Sequence, residues 1–315
     1  MVKTIKKNKN KIEELLDYIP PKLCPIILEQ PKELLKAATE LRFRNGRGCT
    51  ISCGEKNYYI QGIEVDSSDM ETMMQRICQG AAYQFETQME QGYIPLPNGH
   101  RAGICGSYML NEAGRIQINN ISSINLRICR EIRCGGEKLL PKLLCDDKFC
   151  STLIVSEPCG GKTTLLTDLV RVLSEKGYRC AVIDERGEIA ASFRGIPQKD
   201  LGVFCDVLDG YPKPYGMMIA LRTLAPQVLV CDEIGSEDEV EKMLEAMNAG
   251  VPFLATAHAR DEEELFNRPQ IKRLKEAGAI SKVVFLKGAK SPGRIRKVIT
   301  VNEFDDKDFW CCLDC

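Results

Sequence analysis

Thr152-Leu153-Ile154-Val155-Ser156-Glu157-Pro158-Cys159-Gly160-Gly161-Lys162-Thr163-Thr164 is the stretch around which the chain is organised. The run from Thr152 to Val155 is short and strand-like. Beyond the loop, Leu165, Leu166, Leu169, Val170 and Leu173 recur at spacings of three and four, the period of a helix with one buried face. Strand, small-residue loop, Gly-Lys-Thr and helix form the context that a phosphate-binding loop requires. Gly160 and Gly161 carry no side chain, so backbone N–H groups there can point at phosphate oxygens. The helix start adds unpaired N–H groups and partial positive charge. Lys162 has the reach for β- and γ-phosphates, and the Thr163 hydroxyl suits Mg²⁺. Ser156, Glu157, Pro158, Cys159, Gly160, Gly161, Lys162, Thr163 and Thr164 are therefore the expected ATP cradle. Two positions depart from the usual pattern: Ser156 replaces its leading glycine, and Cys159 stands where many such loops carry another.

Three other apolar runs end in polar residues. Val228 to Cys231 leads into Asp232 and Glu233. Ligands gather at the carboxyl ends of strands in open α/β sheets, and two acids there suit a hydrated Mg²⁺ and an attacking water. Asp232 is assigned to the Mg²⁺ shell and Glu233 to polarising the water. Ala181 to Ile183 leads into Asp184 and Glu185, which are expected to complete an acidic rim near the γ-phosphate; Arg186 could instead pair with one of them. Phe253 to Ala257 leads into His258, one of only two histidines, placed to sense the γ-phosphate. Arg222 stands just before the acidic strand, and Arg127, Arg130 and Arg133 form a cluster upstream. Any of them could meet transition-state charge.

Strands near 151–156, 179–184, 227–232, 251–256, 281–287 and 293–301 alternate with helices near 162–175, 216–224, 236–248 and 261–277. That order predicts a parallel sheet covered on both faces. Upstream, helices over 11–42, a strand at 40–44, a helix at 69–88 and strands between 92 and 133 predict a smaller α+β domain. The methionines Met70, Met73 and Met74 are read as core filling in that helix. Domain limits of 1–133 and 150–315 follow, joined by a connector at 134–149 that opens on Cys134-Gly135-Gly136.

Composition narrows the function. The chain has 315 residues, 44% hydrophobic and 28% charged, with net charge −1. No global basic field and a single Trp argue against stable nucleic-acid binding. Lys3, Lys6, Lys7, Lys9 and Lys11 cluster at the start and read as a solvated terminus, with contact to an acidic membrane or partner as the other option. There is no secretory signal and no run of about 18 apolar residues, so a cytoplasmic location is expected. The 16 cysteines are scattered and read as reduced. The tail Cys311-Cys312-Leu313-Asp314-Cys315 lacks the second pair that a zinc site needs.

Gly92 to Gly106, Ser123 to Glu131, the phosphate loop, Val182 to Ala190 and Ala255 to Ala259 together resemble the stage III sporulation protein AA family, related to type II and type IV secretion ATPases. So do Cys205 to Gly210, Tyr215 to Met218 and Arg222 to Gly235. The resemblance spans about Glu40 to Asn302. It implies a RecA-like P-loop ATPase domain with a smaller N-terminal domain, working as a ring-shaped homo-oligomer, a hexamer, on ATP and Mg²⁺. It places the acid after the second strand on Glu185, the catalytic glutamate on Glu233 and the histidine on His258. It gives arginines a part in nucleotide binding, for which Arg127 and Arg130 are the choices from the first domain. It also implies peripheral association with channel proteins of a sporulation membrane complex between mother cell and forespore. Against this stand a nucleic-acid-dependent ATPase of the same fold, a nucleotide-gated scaffold with little turnover, and a small-molecule kinase.

Overall fold

The computed structural model describes residues 11–79, 89, 92–110 and 116–301. The lysines before Lys11, the second half of the helix expected at 69–88, a turn expected from the sequence at 111–114 and the cysteine-rich tail lie outside these residues. The chain forms two compact units, Met1–Arg130 and Glu131–Cys315.

The first unit carries a six-stranded antiparallel sheet. Its strands are β1 (Glu40–Arg44), β2 (Gly48–Cys53), β3 (Lys56–Ile60), β4 (Tyr93–Pro95), β5 (Arg101–Leu110) and β6 (Ile116–Arg127), in the order β3-β2-β1-β6-β5-β4. Short helices α1 (Cys24–Leu28) and α2 (Lys32–Ala37) precede it, and α3 (Ser67–Cys78) lies between β3 and β4. Helix α3 starts two residues earlier than the sequence suggests. Asp66 accepts from the Asp69 N–H while Asp69 returns the bond to the Asp66 N–H, closing a capping box. Met70 and Met73 are buried among Phe43, Ile51 and Leu126, so these methionines do fill the core. The last of the strands expected between 92 and 133 is the single long strand β6, which ends at Arg127 and pairs with β5 on one side and β1 on the other. His100 is buried; its Nδ1 accepts from the Cys129 N–H at 3.0 Å, so Nε2 carries the proton and donates to Glu14 at 3.0 Å. This histidine is structural.

The second unit is a seven-stranded sheet in the order β11-β10-β12-β13-β9-β14-β15. The strands are β9 (Thr152–Val155), β10 (Cys180–Asp184), β11 (Cys205–Asp209), β12 (Val228–Glu233), β13 (Phe253–Ala257), β14 (Lys282–Leu286) and β15 (Ile295–Thr300), after a small hairpin of β7 (Leu144–Cys145) and β8 (Lys148–Phe149). All neighbours in the large sheet are parallel except β14 and β15. Helices are α4 (Gly136–Leu139), α5 (Lys162–Glu175), α6 (Lys213–Thr223), α7 (Glu237–Asn248), α8 (Glu262–Phe266) and α9 (Pro269–Glu276). Alternate strand residues serve opposite faces, as the pleat requires. Leu153, Val155, Ile183, Leu229 and Phe253 meet α6 to α9, whereas Ile154, Val182, Val230, Leu254 and Val284 meet α5.

Strand β11 carries no apolar alternation in the sequence, because it is the sheet edge and only Leu208 is buried. The helix expected over 261–277 is two helices. Pro269 has no N–H to donate and opens α9, so Arg268 stays extended at φ −73°, ψ 127°. Residues 134–149, read as a connector, pack on α5 through Leu139, Leu140, Leu143 and Phe149. The buried Asp168 of α5 holds this segment by accepting from the N–H groups of Cys134 at 3.0 Å and Gly136 at 2.9 Å. Cys145 and Cys150 are disulfide-bonded beside the hairpin, an exception to the expectation of reduced thiols.

Candidate functional site

Strand β9 delivers the chain into the loop 156–161, and α5 leaves it. Glycine is needed at two positions for two different reasons. Gly161 has φ +86°, and a Cβ there would lie 2.4 Å from the Gly293 nitrogen. Gly293 belongs to the connection between β14 and β15, and its N–H donates to the Gly160 carbonyl at 2.8 Å. At Gly160 a Cβ would lie 1.8 Å from Ser156 Oγ. Serine can stand at the loop's leading position because residue 160 has no side chain. Cys159, exposed, holds φ +60°, where glycine would be at ease. Gly160→Ala is expected to cost about 1–3 kcal/mol of stability through overpacking, and Ser156→Gly in the same chain should recover part of it. Thermal unfolding of the single and double variants checks this.

Gly161 gives α5 no side-chain cap, whereas Asp66 caps α3 and Ser236 caps α7. The first N–H groups of α5 therefore face the loop without a side-chain acceptor, which is what a phosphate group requires. Thr163 and Thr164 lie in this first turn, half-buried, while Glu157 and Pro158 are exposed at the loop's tip.

Lys162 is buried and donates to three acceptors: the Ser156 carbonyl at 3.1 Å, the Glu157 carbonyl at 3.2 Å and His258 Nδ1 at 2.9 Å. An ammonium has three donors and no acceptor, so Nδ1 is the unprotonated imidazole nitrogen. The proton then sits on Nε2, which lies 3.2 Å from Glu233 Oε2. Burial pulls the Lys162 ammonium below the ordinary lysine range, against the pull of Glu233. Lys162, His258 and Glu233 thus form one chain of polar contacts, a hydrogen bond from Lys162 to His258 and a 3.2 Å ion-pair contact from His258 to Glu233, across the ends of three adjacent strands, β9, β13 and β12. The register makes this possible. Glu233 pairs with Thr256 after a bulge in β12, and His258 follows two residues later on the same side.

The other acids behave differently. Asp184, expected on an acidic rim, is fully buried and accepts from the N–H groups of Glu188 at 2.8 Å, Ile189 at 3.1 Å and Ala190 at 2.7 Å. Both its oxygens are used to hold the loop after β10, so it does not face a phosphate. Glu185, next to it, is exposed. Asp232 is buried with Oδ1 3.0 Å from Lys213 Nζ. Burial raises its pKa and Lys213 opposes the rise. Lys213 is a residue that the sequence did not single out; its only signal was a lysine between Pro212 and Pro214 at a helix start. Arg222 is exposed in the last turn of α6. In the first unit Arg127 Nε lies 3.3 Å from Glu40 Oε1, and Arg130 donates to the Ala38 carbonyl at 2.8 Å.

A largely parallel sheet with a glycine-rich loop after β9 and a carboxylate at the end of β12, in a chain that also carries a smaller antiparallel domain, defines a RecA-like P-loop protein. Its fold is that of the secretion ATPases. The chain belongs to the family described as sporulation stage III, protein AA, whose model matches residues 6–303. It is 33% identical over 303 residues to stage III sporulation protein AA of Bacillus subtilis (strain 168), over 94% of this chain and 96% of that protein. Among solved structures, the Legionella pneumophila ATPase DotB matches with a TM-score of 0.57 at 14% identity, over 84% of this chain and 76% of that one. The pilus retraction motor PilT, solved with bound ADP, matches with a TM-score of 0.51 at 16% identity, over 82% of this chain and 76% of that one. At such identities the likeness establishes the fold.

Proposed function

We propose that this chain is an Mg²⁺-dependent ATPase that powers or gates a membrane-associated secretion complex in sporulation, between mother cell and forespore, as a ring of identical subunits, a hexamer. The observation that carries the catalytic part is the chain of polar contacts Lys162–His258–Glu233 beside a helix N-terminus without a side-chain cap. The donor set fits ATP and Mg²⁺: backbone N–H groups and an ammonium for phosphate, a threonine hydroxyl and acids for the cation. Bound Mg²⁺ would neutralise phosphate charge and order water.

Each residue has a distinct part. Lys162 holds the phosphate tail, with the loop from Ser156 to Gly161 and Thr164 around it. Thr163 would hold the metal through its hydroxyl. Asp232 is occupied by Lys213, which suits it to the outer shell of the cation. Glu233 takes a proton-bearing contact from the attacking water. His258, with Nε2 3.2 Å from the Glu233 carboxylate, keeps that side chain at the strand ends. Glu185 adds negative charge at the neighbouring strand end. Arg127 and Arg130 are the proposed arginine contacts to nucleotide. Among the described residues no helix is long and apolar enough to cross a membrane, which suits peripheral association with channel proteins. ATP binding and phosphate release measured on one preparation test the proposal. Both are expected with Mg²⁺, and release should stop when EDTA is added. Binding without release would make the protein a nucleotide-gated scaffold. Strong stimulation by single-stranded DNA or RNA would make it a nucleic-acid-dependent ATPase.

A further inference from the structure

Lys213 is placed where a lysine is doubly disfavoured. It is the first residue of α6, so its charge meets the positive end of a helix dipole, and its side chain is only 9% exposed. Pro212 and Pro214 preset the backbone on either side. Gly216 brings the helix against the sheet: a Cβ there would lie 2.8 Å from Ile183 Cγ2. The result is an ammonium directly at the end of β12. Nζ lies 3.0 Å from Asp232 Oδ1 and 3.1 Å from Glu239 Oε1, and it donates to the main-chain carbonyl of Glu233. The second oxygen of Glu239 accepts from the Gly235 N–H at 2.7 Å. One cation therefore ties together the residue before Glu233, the carbonyl of Glu233 and, through Glu239, the backbone just after it.

A buried ion pair adds little net stability compared with an apolar filling, but it fixes one arrangement. We infer that Lys213 is a positioning residue for Glu233, holding the end of β12 so that the Glu233 carboxylate meets His258. The inference rests on the proposed hydrolytic role of Glu233. It assigns Lys213 to turnover and not to nucleotide affinity, because the hydrogen bond and ion pairs of its ammonium go to Glu233, Asp232 and Glu239 at the end of β12 and the start of α7.

The test is Lys213→Met in the full-length chain, read in two ways. The first is kcat per titrated ATP-binding site against ATP Kd. A fall in kcat of about 30-fold or more is expected, the scale that a displacement of about 1 Å brings. ATP Kd should stay within about threefold, below the tenfold that 1.4 kcal/mol represents. The second readout is amide hydrogen exchange of residues 233–236, which should accelerate at Gly235 whether or not the protein turns over ATP. Lys213→Arg is expected to restore part of both. If Lys213→Met does not fold, Lys213→Met/Glu239→Gln keeps the local net charge and the acceptor for Gly235, and the same two readouts apply. A lowered melting temperature with unchanged kcat per site and unchanged exchange would overturn the inference, since that is a structural role alone. If the unsubstituted protein binds ATP but releases no phosphate, the hydrolytic proposal fails by itself. The exchange result then decides whether Lys213 holds the strand end.

Discussion

Lys162→Ala is expected to weaken ATP binding by about 100-fold or more, equivalent to about 2.7 kcal/mol. The ammonium belongs to the first residue of α5, whose start has no side-chain cap, and it is already buried. A charge-assisted contact to phosphate is among the stronger interactions that one side chain makes. Truncation also strips the Ser156 and Glu157 carbonyls and His258 Nδ1 of a hydrogen-bond donor. Titration with a fluorescent ATP analogue measures the affinity, and a melting curve on the same sample separates lost binding from lost fold. Affinity within threefold of the parent, in a folded protein, would remove Lys162 from the phosphate site and with it the function assigned to the loop.

Glu233→Gln should do the opposite, keeping binding and stopping the reaction. The change is isosteric, and the amide oxygen can occupy the position of the carboxylate oxygen that now lies 3.2 Å from His258 Nε2, so the site keeps its shape. What is lost is the basic oxygen that polarises water. General-base contributions run to about 10²–10⁴-fold, and a fall in kcat of that size is expected with ATP affinity changed less than about threefold. Single-turnover phosphate release with a parallel binding titration reads both numbers. Normal hydrolysis by this variant would move the catalytic role off β12, and Glu185 at the end of β10 would be the next acid to test.

Much of this site was legible because it is built from local patterns. A strand, a glycine-bearing loop and a helix of period 3.6 announce a phosphate loop without any knowledge of what packs against it. The apolar runs ahead of Asp232 and His258 likewise announce strands. Three features were not legible. Asp184 looks like Asp232 in sequence, an acid after an apolar run. Its role is set by a turn that folds three backbone N–H groups back onto it. Strand β11 is an edge, so one neighbour suffices to form it and no apolar face marks it. Lys213 carries its meaning through partners 19, 20 and 26 positions away, and no local period reports such contacts.

The serine that opens the phosphate loop has a consequence for the lineage as well as for the molecule. The general motif fixes a glycine at the position of Ser156 and leaves the position of Gly160 open; here the constraint has changed places. The two positions are expected to covary among relatives, serine at one demanding glycine at the other. A pattern scan anchored on the leading glycine will overlook every chain that made the same exchange.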